Sequence, residues 1–130
     1  MEKIRKKAIT VIEQRNEIYF EVRQEDFKDI CCYLYEERHA ILLVMFATDE
    51  REKDSLFRVY AVFSIPGADR FISIVLRLNE RNPGFPSITS HVPAAHWYER
   101  EIMDMFGLIP HGHPDRRRLV FHELLQRRKC

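Results

Sequence analysis

AILLVMFATDEREKDSLFRVYAVFSIPGADRFISIVLRL, residues 40–78, holds three strand-forming runs separated by two stretches that interrupt them. Ala40 to Thr48 is almost unbroken in apolar residues, the pattern of a central strand buried on both faces. Asp49 to Asp54 is nearly all charge and reads as a solvated hairpin loop. Leu56 to Ile65 forms the second run. Pro66-Gly67-Ala68-Asp69 is a turn, because proline presets φ and glycine tolerates a positive one. In the third run Ile72, Ile74, Leu76 and Leu78 alternate with Ser73, Val75 and Arg77. Links this short join antiparallel neighbours, so the segment predicts a meander with one apolar face for helices to cover.

Upstream, Phe27, Ile30, Cys31 and Leu34 fall at i, i+3, i+4 and i+7, a helical stripe that makes Cys31 a small core residue. Ile18 to Val22 is β-branched and aromatic enough for a short strand. Before it, Ile4, Ala8, Val11 and Ile12, with basic residues between them, predict an amphipathic helix of about three turns. The order α-β-α-β-β-β is that of an α+β two-layer sandwich. Its sheet is mainly antiparallel with helices on one face, and a C-terminal helix and an irregular tail follow. Residues 1–130 suit a single domain, with 1–80 as the α+β core and 81–130 as loop, motif helix and docking tail.

Composition narrows the partners. The chain has 21 Lys+Arg against 20 Asp+Glu, a net charge of +1, so bulk attraction to nucleic acid or anionic lipid is not its main property. Its apolar runs fall far short of the ~20 residues that span a bilayer. The basic start, Met1 to Lys7, is not followed by a continuous apolar stretch, so a cytoplasmic location is expected. Three cysteines, with Cys31 and Cys32 adjacent, suit a reducing compartment and not a disulfide framework or an iron–sulfur site.

Downstream of Leu78 the texture changes. Two prolines and a glycine within Asn82 to Pro86 predict an irregular loop. Pro93 suits a helix start, and Ala94 to Phe106 a helix that Gly107 ends. Projected at about 100° per residue, Ala95, Tyr98, Ile102, Met105 and Phe106 form its apolar stripe, with Trp97, Arg100, Glu101 and Asp104 roughly opposite. Tryptophan and arginine on an outward face are the residues favoured as interface anchors. Gly112-His113-Pro114-Asp115-Arg116-Arg117-Arg118 then joins a rigid turn to three guanidinium groups, which clasp carboxylates well. Folded back, they would meet Glu99, Glu101 or Asp104.

The run Glu99-Arg100-Glu101-Ile102-Met103-Asp104-Met105-Phe106, with His113, Arg117 and Leu119 at their spacing, resembles the signature of one protein family. This is the 30-kilodalton subunit of NADH–quinone oxidoreductase (respiratory complex I). The same domain occurs in energy-converting nickel–iron hydrogenases of the formate-hydrogenlyase type. Phe85 to Thr89 and Val92 to Tyr98 look like the family's as well. The resemblance implies a non-catalytic docking subunit without cofactor of its own. Its partner would be a large subunit that houses a quinone site or a nickel–iron centre, beside neighbouring iron–sulfur subunits. The chain would meet the membrane only through the complex, peripherally on the cytoplasmic side of the inner membrane.

On this reading the docking residues are Trp97, Glu99, Arg100, Glu101, Asp104, Phe106, His113, Asp115, Arg116, Arg117 and Arg118. Pro86, Pro93, Gly107, Gly112, Pro114 and Leu119 shape the junction. Gly107 to Pro110 and Leu119 to Glu123 look more like hydrogenase members, which favours that branch over complex I. Two other classes are weighed. His111 and His113, with Asp115, His91, His96 or His122, are a possible metal set, although zinc needs three or four converging donors. The arginines at 116–118 and Arg127-Arg128-Lys129 are a possible phosphate-binding cluster.

Overall fold

The computed structural model of the chain describes residues 2–117. Helix α1 (Glu2–Lys7) leads into β1 (Ala8–Glu13), which turns back into β2 (Glu17–Val22). Helix α2 (Gln24–Glu36) precedes β3 (Ile41–Glu50), the one-turn helix α3 (Arg51–Asp54), β4 (Leu56–Ser64) and β5 (Phe71–Asn79). Then come β6 (Gly84–Pro86), helix α4 (Ala95–Phe106) and β7 (Ile109–His111). The five-stranded sheet runs β1-β2-β5-β4-β3, and β6 and β7 form a separate parallel pair. The molecule is an α+β two-layer sandwich, as the sequence predicts.

One face of the sheet supplies the core. Ile18 and Phe20 of β2, Ile72, Ile74, Leu76 and Leu78 of β5, and Val59, Ala61 and Phe63 of β4 are buried together with Phe27, Ile30, Cys31 and Leu34 of α2. Burial pushes the Cys31 thiol well above its ordinary pKa, so the group sits there as an inert apolar filler. Ala95 and Ile102 of α4, with Phe85, Ile88, Val92 and Leu108 around it, extend the same cluster.

Four expectations need correcting. The N-terminal helix ends at Lys7, and Ala8 to Glu13 is a strand antiparallel to β2. Ile9-Thr10-Val11-Ile12 is a run of four β-branched residues, and over so short a window their spacing fits either element. The run at 40–48 is not central: β3 lies at the sheet edge, with Ile41, Leu43 and Phe46 exposed. Asp49 to Asp54 is not loop throughout, because Arg51–Asp54 closes one helical turn. Finally, Gly84–Pro86 is strand, not irregular loop. The five-stranded sheet is mainly antiparallel as expected, save that β2 pairs with β5 in parallel. That last pairing joins segments about fifty residues apart and leaves no mark on local spacing.

The second face of the sheet has no helix on it among the described residues. Following the register, one row across it reads Thr10, Glu21, Val75, Tyr60, Phe46 and the next Ile12, Tyr19, Ser73, Val62, Val44. Phe46 stacks on Tyr60 with ring centroids 4.8 Å apart. At Leu43 the β3–β4 register slips by one residue, and the Tyr98 hydroxyl of α4 donates to the Leu43 carbonyl at 3.1 Å. The bulge and its hydrogen bond fasten α4 to the edge strand.

Ile30 tests the α2 assignment. An Ile30→Asp variant buries an unpaired carboxylate against the sheet, a loss on the order of the whole 5–15 kcal/mol that holds a domain together. Far-ultraviolet circular dichroism is expected to show it largely unfolded at room temperature.

Candidate functional site

Helix α4 is held from both sides by groups that project from one side of it. Glu99 is fully buried. Its Oε1 accepts from the Ser87 hydroxyl at 2.6 Å and the Thr89 hydroxyl at 2.7 Å, and its Oε2 from the Ile88 backbone N–H at 2.8 Å. Ser87 Oγ in turn accepts from the Thr89 N–H at 3.2 Å. A carboxylate taken out of water needs such donors, and here they are the three successive residues of the loop that precedes the helix.

His113 locks the segment that follows the helix. Its Nε2 lies 3.0 Å from the His96 carbonyl, and its Nδ1 lies 2.9 Å from the Asp115 backbone N–H. A carbonyl can only accept and an N–H can only donate. The ring therefore carries its proton on Nε2 and presents a lone pair at Nδ1. Nε2 is 3.9 Å from Glu99 Oε1, and both side chains are closed to solvent. Expected at the docking surface, Glu99 and His113 are inside the domain instead, holding the helix between its flanking segments.

Arginine completes the junction through Asp115 and the Arg117 carbonyl. Arg100 donates from Nε and Nη2 to the Arg117 carbonyl at 3.0 and 2.8 Å, and its Nη1 lies 3.9 Å from Asp115. Asp115 accepts from the Arg117 guanidinium at 2.9 and 2.8 Å. That hydrogen-bonded guanidinium, then the Arg117 N–H and the Arg100 charge, hold the Asp115 carboxyl well below the usual carboxylate range. Phe106 turns inward, edge-on to Phe57 at 6.0 Å, and Gly107 ends the helix with φ +72°, a conformation open to glycine at little cost.

What remains outward on α4 is a stripe two turns long. Trp97 is 48% exposed and Met105 67%, while Glu101 and Asp104 are half-buried between them. The Arg100 guanidinium sits 6.0 Å from the Trp97 ring. Met105, expected on the inward stripe, points outward instead, while Ile102 and Phe106 on either side of it pack on the core. Arg116 is exposed, and Arg118 and Leu119 lie outside the described residues.

The histidine set does not converge. Both His113 nitrogens are occupied, and His91 pairs with Glu36 at 3.1 Å on α2. Among the described residues no three His, Cys, Asp or Glu side chains are placed to hold a metal ion. His122 and the basic cluster at 127–129 lie outside the described residues. Sequence reasoning missed Ser87 and Thr89 as partners of Glu99. The only signal was their place in a stretch noted for its likeness to the family, because a separation of ten to twelve residues across a loop has no periodicity to betray it.

A family model for the 30-kilodalton subunit of respiratory-chain NADH dehydrogenase matches residues 20–128. Hydrogenase-4 component G of Escherichia coli (strain K12) is 46% identical over 93 residues, which are 71% of this chain and 17% of that protein. Formate hydrogenlyase subunit 5 of the same organism is 37% identical over 107 residues, 82% of this chain and 19% of that one. The chain thus spans less than a fifth of either. A subunit of the NADH-quinone oxidoreductase of Geotalea uraniireducens (strain Rf4) is 36% identical over 121 residues, 92% of this chain and 73% of the relative. Among solved structures, a trypsin-resistant fragment of Nqo5 superposes with a TM-score of 0.70 at 22% identity, over 81% of this chain and 89% of the fragment. A chain of the membrane-bound sulfane sulfur reductase, an archaeal respiratory membrane complex, does so with 0.68 at 16%, over 99% and 89%. At those identities the likeness is one of fold.

Two outcomes follow from the clamp. Glu99→Ala orphans three buried donors and is expected to lower stability by about 3–5 kcal/mol. Glu99→Gln should cost much less, because the two hydroxyls can rotate to accept from its amide. Chemical denaturation of both variants measures the difference. Equal losses would mean that the charge matters and not the hydrogen-bond count. Because the Asp115 carboxyl is lowered, its contribution is present above the ordinary aspartate midpoint of about 4 and is lost as the pH falls through the depressed value. Trp97 fluorescence is therefore expected to stay unchanged through pH 4 and to shift in stronger acid.

Proposed function

The chain belongs to the family of the 30-kilodalton subunit of respiratory-chain NADH dehydrogenase, and on that footing we propose that it is a non-catalytic docking subunit of a membrane-associated redox complex of the hydrogenase branch. The members it resembles are named as components of oxidoreductase complexes, which makes an accessory role the natural one for a single small domain. Its partner on this proposal is a large subunit of nickel–iron hydrogenase type, with iron–sulfur subunits nearby carrying the redox centres. This chain supplies shape and contacts, and no cofactor.

The observation that carries the reading is the exposure of Trp97 on a helix whose backbone is immobilised from within. An indole left half in water loses the gain of burial, and a rigid neighbour removes much of the ordering cost that docking would otherwise incur. Glu101 and Asp104 share its side of the helix, and Arg100, 6.0 Å from the indole, ties the Arg117 carbonyl to it. The identities of 46% and 37% to the two Escherichia coli proteins support the hydrogenase branch. The alternative, the 30-kilodalton subunit of an NADH–quinone oxidoreductase, draws its support from the fuller coverage of the Geotalea relative.

No helix among the described residues is long and apolar enough to cross a membrane. Peripheral attachment on the cytoplasmic side, through its partners, is the placement we propose from the family membership.

Trp97→Ala and Met105→Glu alter exposed side chains and are expected to leave the melting temperature nearly unchanged. Each should prevent co-purification with the large subunit from cells that express the whole complex. Wild-type stoichiometry for both variants would remove α4 as the docking surface.

A further inference from the structure

We infer that the helix-free face of the five-stranded sheet is a second docking surface, and that its occupant is an amphipathic α-helix of a partner polypeptide with an uncharged apolar stripe. This surface stands apart from α4, which lies on the other side of the sheet.

A largely antiparallel sheet with one solvated face carries polar residues there. This one mixes them with a band of large apolar side chains: Thr10, Glu21, Thr48 and Arg58 stand beside Ile12, Tyr19, Val44, Phe46, Tyr60 and Val62. Ser73 and Val75 of β5 form the floor of a groove of about 680 Å³, and Tyr19 rises on one side with Tyr60 and Phe46 on the other. Ser73 and Val75 are already 2% and 4% exposed with nothing laid over them, shielded by these taller neighbours, whereas Phe46 stays 40% exposed at the rim. A sheet with an apolar band on each face, one of its inner pairings parallel, is the kind that takes helices on both sides.

The charges on this face say what the occupant lacks. Glu21 lies 3.1 Å from Arg77 and 3.6 Å from Arg58, and Arg58 reaches Glu50 at 3.0 Å and Asp54 at 2.7 Å. Each of these groups already has a partner of opposite charge. A charged stripe laid over them would lose its hydration and find no free counter-ion, whereas an uncharged one has no charge of its own to desolvate.

Area excludes a free-standing pair of copies. Five strands at about 4.8 Å spacing are ~20 Å wide, and strands of six to ten residues run ~20–33 Å, which gives about 400–650 Å². A stable stand-alone interface buries about 800 Å² on each side. The face suits one helix, about 10 Å across and some three turns long. Its owner must also be held elsewhere.

The test places the photoreactive amino acid p-benzoylphenylalanine at Phe46 in the full chain, expressed with its native complex. After irradiation the crosslinked peptide is sequenced by mass spectrometry. The expected product is a single other polypeptide, joined within a segment whose apolar residues recur at i, i+3, i+4 and i+7 without charge among them. Val62→Glu, on the same face, should cut the yield about tenfold or more while the chain stays folded. Crosslinks to a second copy, to lipid or another small molecule, or to an extended segment would overturn the inference, as would no crosslink in an intact complex. If the Phe46 product forms but Trp97→Ala assembles normally, the α4 surface fails and this one stands. If Trp97→Ala blocks assembly but intact complex gives no Phe46 product, the reverse holds.

Discussion

A carboxylate sealed from water has to be answered by donors, and the answer Glu99 receives organises the second half of the molecule. The Ser87 and Thr89 hydroxyls and the Ile88 N–H come from a loop that would otherwise have little reason to lie against a helix. Drawing it in also seats Ile88 and Val92 in the core and sets where α4 begins. Because the donors are backbone and short hydroxyls, small movements of the loop are penalised sharply. The same helix face then receives His113, whose ring is read in one orientation by a carbonyl on one side and an N–H on the other. An element tied at both flanks moves as part of the domain, the rigidity that the proposed docking role requires.

The sheet bears two demands at once. Its inner face packs α2 and α4, and its outer face keeps an apolar groove although no described element covers it. Edge strand β3 would be prone to pair with another chain, but its register slip at Leu43 and the Tyr98 hydrogen bond to that residue's carbonyl interrupt the ladder. The β3 backbone edge is thus a poor template for another strand.

Several features were legible in residues alone, for a common reason. The α2 stripe, the alternation in β5 and the glycine that stops α4 depend on neighbours a few positions apart, where helix and strand periods leave a pattern. The outward placement of Trp97 followed from the same projection. Legibility failed where that range was exceeded. Ile9 to Ile12 pair with a strand instead of continuing a helix, and Glu99 reads as a surface acid because its partners stand across a loop. Gly84 reads as a loop residue until its pairing with Ile109 places it in a strand, where an added Cβ would lie 1.9 Å from His111 Nε2.

Local chemistry therefore determined the elements, the α+β class and the family likeness, since propensity, period and motif spacing are all written in consecutive residues. Tertiary structure alone decided the parallel union of β2 with β5, the edge position of β3, and which polar residues of the motif face inward. Those choices are made by competition among distant segments for burial and for hydrogen-bond partners. Glu99 illustrates it: identical in type to nearby Glu101, it is buried only because three donors from residues 87–89 converge on its side of the helix.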